Sequence, residues 1–333
     1  MRIGITMGDP SGIGPEIIAQ AIDKFGKLAD FVIIGDRWVF ERSQNFLAKQ
    51  LHCRRNPACN MIASREKIKN QNFTFIDLHN IGRKNFSFGK IKAEYGRASV
   101  EYLDKAMELI KRKEIACLVT CPISKEAIHL AGLKFTGHTE YFARKANVKN
   151  TVMMLLNDRL RFSLLTRHIS LKRVSTEINQ RSLSENISLT YQSLVKLFSI
   201  KSPRIAVCAL NPHASDGGII GREEEQIIAP AVKKLKSKIK YLVGPIAADT
   251  AISLAGKNKF DCLIAMYHDQ ALIPLKLSGC KSGVNITLGL PFVRTSPLHG
   301  TAFDIAGKGK ADPASLISAI KLAKQCRLNQ KKG

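Results

Sequence analysis

Aromatic residues make up only 7% of this 333-residue chain, and acidic residues number 27 against 52 lysines and arginines. No stretch of about 18 uncharged apolar residues occurs, which argues against a transmembrane helix. The N-terminus enters a strand-like run and then a glycine-rich turn at once, with no apolar signal-peptide segment. A cytoplasmic protein is therefore expected. The eight cysteines (Cys53, Cys59, Cys117, Cys121, Cys208, Cys262, Cys280 and Cys326) form no C-x-x-C pair. Three of them, Cys117, Cys208 and Cys262, sit inside apolar runs, where cysteine behaves as a small buried hydrophobe. Free thiols in a reducing compartment fit this better than a disulfide framework. Internal repeats and low-complexity linkers are also missing.

What is present is a hydrophobic content of 45%, enough for a large core, and a length that suggests two domains, in sequence or interleaved. Few aromatics and 23 glycines suit an α/β enzyme better than a β-sandwich. The formal charge of +25 invites a nucleic-acid reading. Yet the basic residues are spread along the chain, as in Lys233–Lys240, without interleaved aromatics or a recognisable nucleic-acid motif. A lysine-decorated surface is the better reading, and neither nucleic acid nor membrane is expected as a partner. Such a field would still help to collect an anionic substrate and a dinucleotide.

Strand-like and helix-like segments alternate, the signature of a mostly parallel sheet. Strands are expected at Arg2–Met7, Phe31–Gly35 and Ile115–Thr120. Helices are expected at Pro15–Phe25, Gly96–Lys113, Ser182–Phe198, Arg222–Leu235 and Asp312–Cys326. On the Gly96–Lys113 helix, Val100, Leu103, Met107 and Ile110 share a face, with Glu101/Lys105 and Glu108/Arg112 as i,i+4 pairs. Residues 40–95 look less regular, with a charged stretch at Arg54 and Arg55. The tail Lys331–Gly333 is expected to fray.

Three histidines follow three of the predicted strands. His168 comes after Arg161–Thr166, His213 after Ile205–Leu210 and His268 after Asp261–Tyr267. Ligands gather at the carboxyl ends of strands in open α/β sheets. Three neutral imidazoles meeting there, with a coordination position open, would make a catalytic divalent-metal site. A single histidine after a strand is more often an ordinary structural residue; three in equivalent places, beside Pro212 and Asp269, shift the balance. The donor set suits Zn²⁺, Co²⁺ or Ni²⁺, and Mg²⁺ or Mn²⁺ in a looser site. Zn²⁺ is favoured, with Mg²⁺ or Co²⁺ as alternatives.

Two glycine-rich loops also stand out. Thr6-Met-Gly-Asp-Pro-Ser-Gly-Ile-Gly-Pro-Glu-Ile17 joins a strand to a helix start, where an anion can bind. It is neither a Walker A nor a G-x-G-x-x-G fingerprint. A structural turn explains it as well as a cofactor loop through Gly12, Ile13 and Gly14. His299-Gly-Thr-Ala-Phe-Asp-Ile-Ala-Gly-Lys-Gly-Lys-Ala-Asp-Pro313 leads into the last helix. Asp304 can accept hydrogen bonds from a ribose diol and would repel a 2′-phosphate, which favours NAD, although Lys308 and Lys310 would tolerate NADP. The plain alternative is a loop capped by Asp312 before Pro313. Together the two loops resemble those of the metal-dependent, β-decarboxylating isocitrate/isopropylmalate dehydrogenase family. Asp-Pro-Ser is inserted in the first, and Phe303 replaces a proline in the second.

Further motifs narrow the resemblance. They are Phe135-Thr-Gly-His-Thr-Glu-Tyr141, Asn211-Pro-His-Ala-Ser-Asp-Gly-Gly218, Gly244-Pro-Ile-Ala-Ala-Asp-Thr250, Tyr267-His-Asp-Gln-Ala-Leu-Ile-Pro274 and Asn285-Ile-Thr-Leu-Gly-Leu-Pro-Phe-Val-Arg-Thr-Ser296. With the loops, they resemble the 4-hydroxythreonine-4-phosphate dehydrogenase family of the vitamin B6 pathway, from residue 1 to about 325 and least over 40–95. The resemblance implies two α/β/α domains with a cleft between them. The first domain would take residues 1–130 and 300–333 with the cofactor loops, the second 131–299 with the metal ligands and the dimer interface. It also implies a homodimer with a shared active site, in which His168, His213 and His268 hold the metal jointly from two subunits. His138, Thr139, Lys276, Asn285 and Arg294 correspond to contacts with a phosphorylated small-molecule substrate. Lys276 and Arg294 bring positive charge for phosphate and carboxylate. His138, Lys276 and Asp249 are the catalytic candidates, and Asp269 is a candidate to orient a metal-bound histidine.

The expected reaction is NAD(P)-dependent oxidation of 4-phosphooxy-L-threonine, followed by decarboxylation. Its nearest rival is oxidation of a phosphorylated threonate or similar four-carbon acid with the same residues. A metal-dependent hydrolase using the three histidines to activate water is the alternative from another class.

Overall fold

The structure, a computed structural model, describes residues 1–25, 30–52, 73–135, 137–279 and 282–331. Cys53, Cys59, Cys280, the Arg54–Arg55 stretch, Thr136 and the last two residues of the tail lie outside the described residues. Two compact units interleave along the chain. Unit 1 takes Met1–Tyr141 and Phe292–Lys324; unit 2 takes Phe142–Pro291 and Gln325–Gly333.

Unit 1 is built on β1 (Arg2–Thr6), β2 (Asp30–Gly35), β3 (Phe73–Asp77), β4 (Cys117–Thr120) and a strand from late in the chain, β11 (Val293–Pro297). Their order is β3-β2-β1-β4-β11, and the four pairings are parallel. Chain direction across the sheet reverses between β1 and β4, the topological switch where open α/β sheets bind ligands. Ile3, Ile5, Ile33, Ile34, Leu118 and Val119 are fully buried, as near-continuous apolar runs in parallel strands require. The helices are α1 (Gly14–Phe25), α2 (Arg37–His52), α3 (Ala93–Lys111) and α4 (Lys125–Leu130), with α5 (His138–Lys145) and α11 (Ala314–Gln330) each beginning in this unit.

Several local expectations change. The described parts of residues 40–95 carry regular structure: α2 runs to His52, β3 forms the sheet edge, and the segment after it packs on aromatics. Phe86 lies 4.9 Å from both Trp38 and Phe88, edge to face, and 5.4 Å from Tyr95. Helix α3 starts at Ala93, ahead of Gly96, which sits inside it because a Cβ there would meet the Ala127 backbone at 2.2 Å. Its buried face centres on Tyr102, Leu103, Ala106 and Met107, leaving Val100 and Ile110 half-buried. Glu108 pairs with Arg112 at 2.8 Å, as the spacing predicts, whereas Lys105 turns to Glu108 instead of Glu101.

Unit 2 holds β5 (Val152–Leu156), β6 (Arg161–Leu164), β7 (Ile205–Cys208), β8 (Leu242–Ile246), β9 (Cys262–Ala265) and β10 (Val284–Leu288). Their order is β10-β5-β6-β9-β7-β8. The β10/β5 and β5/β6 pairs are antiparallel; β6/β9, β9/β7 and β7/β8 are parallel. The helices are α6 (Leu171–Glu177), α7 (Gln180–Phe198), α8 (Ala229–Lys236), α9 (Ala248–Gly256) and α10 (His268–Leu277). Where one helix was expected over Arg222–Leu235, a π-helical turn at Glu224–Ile228 precedes α8. Pro230, with no amide proton to donate, falls at that junction.

Cys117, Cys121, Cys208, Cys262 and Cys326 are buried and form no disulfide among the described residues. Burial pushes the Cys208 and Cys262 thiols up to about 12, which keeps them protonated and inert. Among the described residues, no helix is long and apolar enough to cross a membrane.

Candidate active site

The strand order of unit 2 decides where its three histidines leave the sheet. Strands β6, β9 and β7 are neighbours and parallel, so the chain leaves all three at the same edge of the sheet. His168 follows β6, His268 opens α10 after β9, and His213 follows β7. Pairing between β6 and β9 continues past the strands. The Leu165 amide donates to Ala265 O at 2.9 Å and the Thr166 amide to Met266 O at 3.1 Å. The rings of His168 and His268 consequently lie 5.4 Å apart. His268 Nδ1 is 2.7 Å from Asp269 Oδ1, which leaves Nε2 as the nitrogen able to face a cation.

His213 is held differently. Residues His213 to Gly217 all have positive φ, between 45° and 69°. Four of them carry side chains that disfavour this left-handed region at roughly 1–2 kcal/mol each. Glu224 fastens the start of the turn. Its Oε1 accepts from the amides of Leu210 and Asn211 at 2.8 Å each, and its Oε2 accepts from Asn211 Nδ2 at 2.8 Å. Burial alone would raise the Glu224 carboxyl, but the hydrogen bonds from Asn211 and Leu210 outweigh it and hold the group below its ordinary value. Among the described residues no three His, Cys, Asp or Glu side chains form a metal-sized group within the chain. One chain thus pairs His168 with His268 and does not bring His213 into a threefold set with them.

Gln270 ties these loops together. Its Oε1 accepts from the Met266 amide at 2.7 Å, and its Nε2 donates to Ala209 O at 2.8 Å, which links the ends of β9 and β7. Replacing it with methionine, similar in size but unable to make either bond, strands two main-chain groups. A Gln270→Met variant is expected to lose about 2 kcal/mol of stability. Thermal unfolding checks this, and a variant that melts with the parent would show that the bridge between the strand ends carries little.

Unit 1 contributes a buried charge. Arg294 on β11 is only 1% exposed. Thr120 Oγ1, at the end of β4, accepts from its Nε at 3.1 Å and its Nη2 at 2.5 Å. Burial draws the guanidinium down to about 9, while the charge of Glu140 works the other way. His138, the first residue of α5, is held well below the usual histidine value, by burial first and then by the charges of Arg294 and Lys125. It is neutral at physiological pH. Its neighbour Thr139 is buried too.

The glycine loops lie side by side in unit 1. The Ile13 amide donates to Thr301 O at 3.0 Å and the Gly12 amide to Asp9 O at 3.0 Å. A Cβ on Gly14 would meet Met7 O at 2.0 Å, and one on Gly12 would meet Thr301 O at 3.1 Å. Close packing therefore accounts for both glycines, and the amides of Gly12 and Ile13 are already engaged. Asp9, inside this loop, is fully buried, and burial raises its carboxyl to about 6 against the pull of two Ser11 hydrogen bonds. In the second loop Asp304 is exposed, and Asp312 accepts from the Ala314 amide at 2.9 Å to cap α11.

The remaining candidates belong to unit 2. Lys276 is exposed near the end of α10, whose last turn is anchored by Asn157 Nδ2 donating to Leu275 O at 3.1 Å. Asn285 on β10 keeps Oδ1 buried with no hydrogen-bond partner among the described residues. Asp249 is exposed in the first turn of α9. Thr120, Glu224 and Gln270 were not singled out from the sequence, because their partners are distant in the chain or belong to the main chain.

An α/β protein with polar side chains gathered at strand ends in each of two units is the class defined so far. The sequence profile of the pyridoxal phosphate biosynthetic protein PdxA matches residues 27–323, and the chain belongs to this family. A 4-hydroxythreonine-4-phosphate dehydrogenase of Desulforapulum autotrophicum is 42% identical over 325 residues, 96% of this chain and 94% of that one. A D-threonate 4-phosphate dehydrogenase of Cupriavidus necator is 40% identical over 324 residues, 96% of this chain and 95% of that one. The crystal structure of a 4-hydroxythreonine-4-phosphate dehydrogenase from Klebsiella pneumoniae matches with a TM-score of 0.83 at 35% identity, covering 98% of each chain. The resemblance read from the motifs is borne out at the level of the family.

Proposed function

We propose that the protein oxidises 4-phosphooxy-L-threonine with NAD⁺, or with NADP⁺ in its place, to 2-amino-3-oxo-4-phosphobutanoate. This acid then loses CO₂ to give 3-amino-2-oxopropyl phosphate. The observation that carries the reading is Arg294. A fully buried guanidinium beside a neutral His138 suits an anionic substrate, in a family whose full-length relatives are dehydrogenases of four-carbon phosphates.

A divalent cation fits the pair of imidazoles in unit 2, since one nitrogen of His268 is fixed by a carboxylate and the other ring lies alongside. His213 completes the set from a second copy. Exposed apolar residues flank each histidine, which supports a homodimer. Leu171 follows His168 and is 71% exposed; Ile219 and Ile220 follow His213; Ile273 and Leu277 lie one turn apart on the helix that His268 opens. Asp304 suits the ribose of the dinucleotide, whereas the engaged amides of Gly12 and Ile13 make a poor phosphate cradle.

In the reaction the hydroxyl proton on C3 leaves to a base, and the hydrogen on C3 leaves with its electron pair. A nicotinamide cofactor held near Asp304 would supply the hydride acceptor, and a divalent cation held by the histidines would supply Lewis acidity at the oxygen. The chain does the rest. Arg294 can grip phosphate or carboxylate with two parallel hydrogen bonds. Lys276 adds a second positive charge, while Thr139 and Asn285 orient polar groups of the substrate. His138, kept neutral, can take up or relay the hydroxyl proton, and Asp249 can bond the substrate amine. As the C1–C2 bond breaks, the same positive groups balance the negative charge moving onto the C3 carbonyl oxygen.

Purified protein stripped of metal is expected to form no NADH from 4-phosphooxy-L-threonine, and to recover when Zn²⁺, Mg²⁺ or Co²⁺ is restored. D-threonate 4-phosphate is the second reading, favoured by the Cupriavidus relative. A preference for it of tenfold or more in kcat/KM would replace the first. Turnover of neither, with either dinucleotide and any of these metals, would sink both.

A further inference from the structure

Away from the residues discussed so far, unit 1 has a cavity of about 270 Å³ lined by Arg37, Trp38, Glu41, Asp77, His79, Ile81 and Arg83. It opens at the carboxyl ends of β2 and β3, one and two strands from β1, and so apart from the switch point. The volume is at the small end for ligand pockets, about 300–1,000 Å³. It has room for one ring and one phosphate.

The lining is organised. Arg37 is stacked over Phe75, with the guanidinium carbon 5.3 Å from the ring centre, and its amide donates to Asp77 Oδ1 at 3.1 Å. Neither Arg37 nor Arg83 forms an ion pair among the described residues. The Asp77 carboxylate is turned inward on its own loop, accepting from the His79 amide at 3.3 Å and lying 3.4 Å from His79 Nδ1. His79 is kept in the left-handed region at φ 54°, a conformation that costs a residue with a side chain and is often found at ligand sites. Next to it, Asn80 keeps Nδ2 buried with no hydrogen-bond partner among the described residues. Trp38 is immobilised by donating from Nε1 to Ile81 O at 2.8 Å and by its edge-to-face contact with Phe86. Two guanidinium forks, a fixed indole and the acceptor Glu41 form a complementary set for a phosphate, a flat ring and a ring N–H or hydroxyl.

We propose that this cavity binds the monophosphate ester of a small nitrogen heterocycle, at a site separate from the dehydrogenase centre. Two sources supply that chemistry: phosphorylated pyridines, of the kind the family's pathway makes, and nucleoside monophosphates. The chain has one tryptophan, and it is Trp38, so binding can be read from its emission without an activity assay.

The experiment titrates the full-length protein with pyridoxine 5′-phosphate, AMP, unphosphorylated pyridoxine and inorganic phosphate, correcting absorption losses with free tryptophan amide. A saturable change with at least one ester, half-complete below about 0.1 mM, is expected, and whichever ester binds tighter identifies the source. Unphosphorylated pyridoxine should bind at least tenfold more weakly. The variant Arg37→Gln/Arg83→Gln should weaken the ester at least tenfold while melting and turning over substrate as the parent does. Should the double variant melt early, each single variant is titrated instead and is expected to lose at least threefold. No saturable change with either ester up to 1 mM, affinity unchanged in the arginine variants, or displacement of the ester by NAD⁺ would each overturn the proposal.

Discussion

An Arg294→Met variant is expected to be less stable than the parent and close to inactive. The two effects have one origin. Arg294 is 1% exposed, and burial disfavours its charged form enough to draw it down to about 9. Glu140 supplies the opposing charge, and removing one partner of a charge pair that holds a buried ion costs stability. Thr120, which receives its hydrogen bonds, keeps a hydroxyl that can turn to another acceptor. Binding of an anion loses a desolvated, two-pronged partner, a loss of about 3–4 kcal/mol, or roughly 10²- to 10³-fold in kcat/KM. Arg294→Lys keeps the charge without the fork and should fall between. The checks are a thermal melt and steady-state kinetics on one preparation. A methionine variant within fivefold of the parent in kcat/KM would take Arg294 out of substrate binding.

His268→Ala should have the largest effect on the proposed cation site. Its ring is the one fixed from behind by Asp269 and from the side by His168. On that proposal, removing it takes away a ligand and the contact that orients the site, and with them several kcal/mol of Lewis-acid assistance, about a thousandfold or more in kcat. Asp269→Asn leaves the ligand but weakens its alignment, and a loss of 10- to 100-fold is expected. The order matters more than either figure. Zn²⁺ affinity by calorimetry should decline in the order parent, Asp269→Asn, His268→Ala, with melting of the metal-free proteins nearly unchanged. If His268→Ala binds Zn²⁺ like the parent, the paired imidazoles are not the cation site.

Much of this arrangement could be read from the sequence because it is periodic or local. Short apolar runs ending in His168, His213 and His268 mark strand ends, and β6, β9 and β7 do leave the sheet side by side. Asp312 and Pro313 mark the start of the last helix by ordinary capping chemistry. The rest depends on contacts that cross the chain. The Arg294–Thr120 bond spans 174 positions and the Gln270–Ala209 bond 61, and neither leaves a periodic trace. Helix α2 is hard to see because Arg37, Glu41, Arg42, Gln44 and Asn45 dilute its apolar face, while its aromatic packing partners lie further along the chain, at Phe73, Phe75, Phe86 and Phe88. The glycine loop shows the opposite problem. Its pattern resembles that of a ligand loop, yet packing against Met7 and Thr301 already accounts for Gly12 and Gly14.

The strand order of unit 2 has a consequence for how the protein is made. Strand β9 is the shared neighbour of β6 and β7, but the ribosome delivers it about one hundred residues after β6. Until β9 emerges, β6 and β7 each expose an unpaired apolar edge, the kind that invites pairing with another nascent chain. The last of the three to arrive also carries His268 and Gln270, the residues that join the other two strand ends. A chain truncated before residue 262 would therefore lose both its seam and its paired imidazoles, and the risk of aggregation during synthesis is concentrated in that interval.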